Sequence, residues 1–205
     1  MLGGMARSSS SPRSSLAAIT ALALAGGIVV LPACVSDPPP DTVANPCDEY
    51  CDAVTANCTG DLAPYVDRAQ CSKACALMDR GAEQDGANTI GCRLAHARIG
   101  KSASECSKAS AFGGGACGDT CATFCALVDK QCIQAPIANK PYGDVGACIE
   151  TCNDPDPLLA YQPGGIDGRT ASGETLNCRM YHLLLSFGAQ EVHCPHTAKA
   201  SDTCK

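Results

Sequence analysis

The sequence has 205 residues, 17 of them cysteine, with 21 acidic side chains against 15 basic ones. Tryptophan is absent and aromatic residues make up only 4%, which argues against a core built on large aromatic rings. Small secreted domains with weak apolar cores compensate with disulfides. The acidic balance argues against nucleic acid as a partner, because phosphate binding needs clustered Lys and Arg.

The cysteine spacing disfavours the usual metal and redox motifs. C-x2-C occurs nowhere in the sequence, and neither does C-x2-C-H. Zinc ribbons, thioredoxin-type pairs and covalent haem attachment are therefore disfavoured. The sequence also has no P-loop, nucleophile elbow or Ser-His-Asp order, so we expect a protein that is not an enzyme.

Residues 1–33 have the pattern of a secretory signal. Arg7 and Arg13 precede a small, apolar run over 16–31, and the segment contains no acid. The run ends in Leu31-Pro32-Ala33-Cys34, which resembles the lipobox of bacterial lipoproteins. The alternatives are an ordinary signal peptide with a leftover thiol and an uncleaved membrane helix.

The lipobox resemblance implies that Cys34 is lipidated and becomes the mature amino terminus. Setting Cys34 aside leaves an even 16 cysteines, as expected if the rest are paired. Val35 stands where an Asp would imply retention in the inner membrane, so the resemblance implies the outer membrane. The Pro-rich segment 34–46 is predicted to be an extended tether between this membrane anchor and the first domain.

The rest of the sequence divides into two repeats, 47–117 and 118–205, with eight cysteines each. Short gaps between cysteines are equal in both repeats and long gaps differ, as expected when helices are kept and loops vary. The first set is Cys47, Cys51, Cys58, Cys71, Cys75, Cys92, Cys106 and Cys117, and the second is Cys121, Cys125, Cys132, Cys148, Cys152, Cys178, Cys194 and Cys204.

Each repeat begins with two C-x3-C segments at helical spacing, the second preceded by a capping aspartate, Asp67 or Asp144. Antiparallel helices can be joined only outer cysteine to outer and inner to inner, because disulfide Cα atoms lie within about 7 Å. The sequence thus predicts an all-α, disulfide-rich fold of two tandem helical repeats, each built on an αα-hairpin. The predicted hairpin pairs are Cys47–Cys75, Cys51–Cys71, Cys121–Cys152 and Cys125–Cys148.

A third shared segment, Thr-[Ile/Leu]-x-Cys-Arg-[Leu/Met]-x-His, starts at Thr89 and at Thr175 and predicts a helix capped by threonine. Arg93 and Arg179 in this segment are expected to pair with an acid or to bind a carbonyl. Pairing the remaining cysteines in sequence order predicts Cys58–Cys92, Cys106–Cys117, Cys132–Cys178 and Cys194–Cys204. Order alone leaves other pairings open.

Two motifs of the second repeat, Cys-Arg-Met-Tyr-His (178–182) and His-Cys-Pro-His (193–196), resemble those of duplicated cysteine-rich bacterial lipoproteins of unassigned function. The resemblance spans nearly all of 47–204. It carries no activity with it, so the leading expectation is a membrane-anchored, non-enzymatic structural or interaction module of the cell envelope, with other envelope proteins as partners. An enzyme or redox protein is the last alternative. The first repeat departs from the pattern, because Glu-Cys-Ser-Lys (105–108) stands where His-Cys-Pro-His is expected.

The one group of side chains that could form a chemical site is a set of three histidines, His182, His193 and His196. Imidazole nitrogens bind copper or zinc where two or three converge. These three could converge if the third helix of the repeat packs against the last loop. The alternative is that His182 and its equivalent His96 lie over a disulfide and bond to a loop carbonyl. The wide spacing favours this alternative, so the sequence predicts no cofactor, with Cu or Zn as the competing hypothesis.

Overall fold

The computed structural model describes residues 45–154 and 172–205. The chain divides between Asp41 and Thr42, and every described residue belongs to the second unit, Thr42–Lys205. The predicted signal peptide, the lipidation site Cys34 and most of the predicted tether therefore lie outside the described residues.

The described ranges are helical, as the sequence predicts, and their only bridge between extended residues joins Asp79 and Thr89. None of the helices in these ranges combines the length and the apolar character needed to cross a bilayer. The helices are α1 (Pro46–Asn57), α2 (Arg68–Cys75), α3 (Ile90–Ile99), α4 (Ala103–Lys108), α5 (Thr120–Val128), α6 (Val145–Asn153), α7 (Leu176–Ser186) and α8 (Gln190–His193). A π-helical turn at Asp129–Ile133 and short 3₁₀ turns at Gly60–Leu62, Gly113–Gly115 and Pro195–Thr197 connect them.

Four of these helices begin at the capping residues that the sequence predicts. The Asp67 carboxylate accepts from the backbone N–H of Gln70 at 2.7 Å, and Asp144 accepts from the equivalent amide of α6 at 2.8 Å. Thr89 and Thr175 accept in the same way at the starts of α3 and α7, at 3.3 and 3.2 Å. Each cap satisfies an amide that would otherwise lack a partner in the first turn.

The first two helices of each half form an αα-hairpin closed by two disulfides. We call residues 47–117 the first half and 118–205 the second half. The hairpin disulfides join outer cysteine to outer and inner to inner, as the geometric argument requires. They are Cys47–Cys75 and Cys51–Cys71 in the first half and Cys121–Cys152 and Cys125–Cys148 in the second.

The remaining four disulfides differ from the predicted ones. Pairing in sequence order is wrong, because in each half the third cysteine pairs with the seventh and the sixth with the eighth. The predicted pairs Cys58–Cys92, Cys106–Cys117, Cys132–Cys178 and Cys194–Cys204 are replaced by Cys58–Cys106, Cys92–Cys117, Cys132–Cys194 and Cys178–Cys204.

The way α1 packs on α3 explains this correction. Asn57, at the end of α1, donates its amide N–H to the carbonyl of Ala97 at 3.1 Å. It also accepts the backbone N–H of Lys101 at 3.0 Å, in the turn that leads into α4. The end of α1 therefore lies beside the start of α4, next to Cys106. Cys92 lies five residues before Ala97, about 7.5 Å away along α3, and meets the segment after α4 instead.

The two halves contact each other within this single unit. Phe112 of the first half packs against Phe124 of the second with ring centroids 6.4 Å apart, and both rings are fully buried. Gln70 of α2 donates to the carbonyl of Leu184 in α7 at 2.9 Å. Such contacts join the cores of the two halves, so the predicted repeats pack directly against each other.

Candidate metal site formed by three histidines

Three of the four histidines in the sequence converge in the second half. His182 lies on α7, one turn after Cys178. His193 is the last residue of α8, and His196 lies in the 3₁₀ turn Pro195–Thr197. The third helix and the last segment thus pack together, which was the condition for a metal site in the sequence argument.

The Nδ1 atoms of these rings face one another. His182 Nδ1 lies 3.1 Å from His193 Nδ1 and 3.2 Å from His196 Nδ1. The ring of His182 stacks on that of His193 with centroids 5.3 Å apart and meets the ring of His196 edge to face at 4.6 Å. His182 is buried, whereas His193 and His196 are half-buried.

Hydrogen bonding alone satisfies this arrangement poorly. A ring nitrogen carries either one proton or one lone pair, so His182 Nδ1 cannot form two full hydrogen bonds to two other nitrogens. A metal ion in contact with all three lone pairs would satisfy them together. Zinc–imidazole bonds of 2.0–2.1 Å in tetrahedral geometry place the ligand nitrogens about 3.3–3.4 Å apart, close to the observed separations.

Disulfides hold the elements that carry the three rings. Cys178–Cys204 joins the start of α7 to the end of the chain, and Cys132–Cys194 joins α8 to the π-helical turn. Gln190 of α8 also donates to the carbonyl of Gln131 in that turn at 2.9 Å. These links fix His193 beside α7 without help from a metal.

Arg179 binds the segment after His196 to α7. It is 1% exposed, and its guanidinium donates to the carbonyls of Ala198 and Lys199 at 3.0 and 2.7 Å. Tyr142 donates to the carbonyl of Thr197 at 2.8 Å from the other side. Of the two predicted roles for this arginine, an ion pair or a carbonyl contact, these hydrogen bonds fulfil the second.

The electrostatic setting favours a neutral imidazole at His193. Burial lowers the pKa of His193, and the neighbouring His196 lowers it further. Metal ligands must be deprotonated, so a lowered pKa reduces competition from protons. Sulfur does not add to the ligand set, since Cys178 and Cys204 lie near His182 but are joined to each other.

The first half has an ion pair where the second half has the cluster. His96 Nδ1 lies 2.7 Å from a carboxylate oxygen of Glu105, and Lys108 Nζ lies 2.7 Å from the other oxygen. Glu105 and Lys108 stand at the sequence positions of His193 and His196. The ion pair is not among the sequence predictions, although the opposite charges of Glu105 and Lys108, three residues apart, are a signal for it.

The competing interpretation of the histidines is partly right. A ring nitrogen of His96 lies within 4.8 Å of the sulfurs of Cys92 and Cys117, and His182 lies as close to its own disulfide. His96, however, bonds to a carboxylate and not to a loop carbonyl. Both halves therefore have a histidine beside a disulfide. The convergence of three imidazoles is found only in the second half.

Comparison of the chain with protein-family models, with curated proteins and with solved structures finds no match. The function is therefore inferred from the geometry of the chain itself.

Proposed function

We propose that this protein is a non-enzymatic, membrane-tethered module of the bacterial cell envelope that binds a copper or zinc ion through His182, His193 and His196. The observation that carries the proposal is that His182 Nδ1 lies 3.1 and 3.2 Å from the Nδ1 atoms of His193 and His196, with a ring nitrogen of each residue within 4.8 Å of the others. Imidazole suits both ions, and divalent copper binds nitrogen ligands more tightly than zinc does.

The disulfides support the extracytoplasmic part of the proposal. All 16 cysteines in the described ranges are paired, in eight disulfides. Disulfides persist in oxidising compartments and are rare in the cytosol, so this domain belongs in an oxidising environment. The same order of pairing in both halves supports the interpretation that they are repeats.

The proposed location in the outer membrane depends on the lipobox alone. We expect the mature protein to begin at Cys34 and to carry acyl chains on it, which the intact mass of protein purified from membranes would measure. A C34S variant should be released from the membrane. Processing at another residue, or an unmodified Cys34, would contradict the proposed anchor and leave the metal site untouched.

Titration calorimetry tests metal binding. The wild-type protein should bind one Cu²⁺ or Zn²⁺ per chain, and H193A and H196A should each lower the affinity at least about tenfold, because each removes one of three ligands. These two side chains are half-buried, so their loss should leave the fold intact. Disulfide mapping and circular dichroism would verify that.

H96A is the matched control, since it removes the fourth histidine from the other half of the molecule. We expect it to bind metal as the wild type does. The proposal is wrong if the wild-type protein binds neither ion at micromolar concentration, or if H96A and H196A reduce the affinity equally.

A further inference from the structure

Among the residues that the structure describes, the donor set around the three histidines stops at three. No carboxylate of the described residues lies within 4.8 Å of all three ligand nitrogens. The nearby sulfurs of Cys178 and Cys204 form a disulfide with an S–S distance of 2.02 Å, so neither is a thiolate. Structural zinc sites are closed by four protein ligands, whereas sites with three leave a position for water or another ligand.

The site lies at the surface of the domain. His182 is only 5% exposed and forms the inner wall, while His193 and His196 are half-buried. Val192, the neighbour of His193 in the chain, is 55% exposed. Two of the three histidine side chains are therefore partly in contact with solvent, as an open coordination position requires.

The fold does not need a metal to close this region. Cys194 lies between two of the histidines and is joined to Cys132. Thr197, fully buried beside His196, bonds to the carbonyl of Cys194 through its side chain at 2.8 Å. The disulfide and this hydrogen bond fix the segment. A metal ion bound here is therefore not required for the stability of the fold.

Three neutral imidazoles leave the charge of a divalent ion uncompensated. In such a site the ion is the largest local charge, and it binds anions and lowers the pKa of bound water to about 7. We propose that the metal ion at His182, His193 and His196 keeps one coordination position open to solvent, where it exchanges water for a small anion. This inference rests on the proposed metal binding and adds the class of ligand that the bound metal takes.

Co²⁺ and azide are suitable probes, because four-coordinate Co²⁺ absorbs visible light with an intensity that depends on its ligands. We expect Co²⁺ to bind the full mature chain at one equivalent and azide to change the visible spectrum saturably. Gel filtration should show that the protein retains its Co²⁺ after azide is added. X-ray absorption should find three imidazoles plus one oxygen, replaced by nitrogen with azide.

The outcomes separate the two claims. If Co²⁺ binds with a four-coordinate spectrum that azide leaves unchanged, and X-ray absorption finds a fourth protein ligand, the site is closed and this inference fails while metal binding stands. If neither Co²⁺ nor Zn²⁺ binds, the proposed function itself fails. H96A should respond to azide as the wild type does, whereas H196A should lose the response at Co²⁺ concentrations that saturate the wild type.

Discussion

Glu105 pairs with both Lys108 and His96, and this is where the first half differs from the proposed metal site of the second. Its oxygens lie 2.7 Å from Lys108 Nζ and 2.7 Å from His96 Nδ1. The Lys108 ammonium group already occupies the cation position at this carboxylate and would repel a metal ion, and His96 Nδ1 is engaged by Glu105. The aligned residues of the second half, His193 and His196, offer lone pairs instead.

The same carboxylate predicts a pH-dependent contribution to stability. Lys108, followed by His96, lowers the pKa of Glu105 below its usual range. A carboxyl group with a depressed pKa in the folded state stabilises that state above the unfolded value of about 4.3, and the effect is lost as the pH falls through the folded value. We expect E105Q to reduce the free energy of unfolding by about 1 kcal/mol at pH 7. This difference from the wild type should shrink as the pH falls below about 4.

Chemical denaturation of E105Q and wild type with disulfides intact, across this pH range, is the measurement. E191Q is a suitable control, since Glu191 is an exposed residue of α8 in the second half. It should leave the free energy of unfolding unchanged at every pH. A difference for E105Q that persists unchanged into acid would mean that the carboxylate charge does not contribute.

At the scale of elements, the disulfide between the third and seventh cysteines determines where each last helix lies. In the first half it attaches α4 to the end of α1, and in the second it attaches α8 to the π-helical turn after α5. The element that carries His193 is only four residues long, too short to be a stable helix by itself. Its position therefore depends on this covalent link.

We expect C132A/C194A to weaken metal binding by about tenfold or more, because loss of the link lets the ligands move away from α7. Titration calorimetry measures the affinity. C58A/C106A removes the equivalent disulfide from the first half and is the matched control, which should lose comparable stability while keeping the metal affinity. Equal affinities in both double variants would show that Cys132–Cys194 does not position the site.

For the whole molecule, the two halves provide an internal comparison of the same scaffold with and without the cluster of three histidines. Both have the same order of disulfides and a histidine beside the disulfide of the third helix. Since the scaffold is shared, the two residues that flank the seventh cysteine should be sufficient to transfer the metal site from one half to the other.

The double variant E105H/K108H tests this transfer. It replaces the ion pair around His96 with two further imidazoles, so we expect the number of ions bound per chain to rise from one to two. In an H193A/H196A background it should restore one. The measurement is metal content after gel filtration, with disulfide mapping to confirm the fold. A stoichiometry that stays at one with all disulfides formed would show that the halves differ in geometry as well as in sequence.

The sequence by itself determined the first three helices of each half, though not α4 or α8, together with the caps at Asp67, Asp144, Thr89 and Thr175 and the hairpin disulfides. Helical spacing, capping chemistry and the geometry of a disulfide are local constraints, so they can be read from neighbouring residues. The same local reasoning located the three histidines on one helix and one loop, but it could not determine whether they meet.

Only the tertiary structure decided the other four disulfides and the convergence of the histidines. Both depend on how the third helix of each half packs against the first, and that packing joins residues up to 62 positions apart in sequence. Cysteine order gives no preference among such distant partners. The packing that brought Cys194 to Cys132 also brought His193 and His196 to His182, because the two histidines flank that cysteine and move with it.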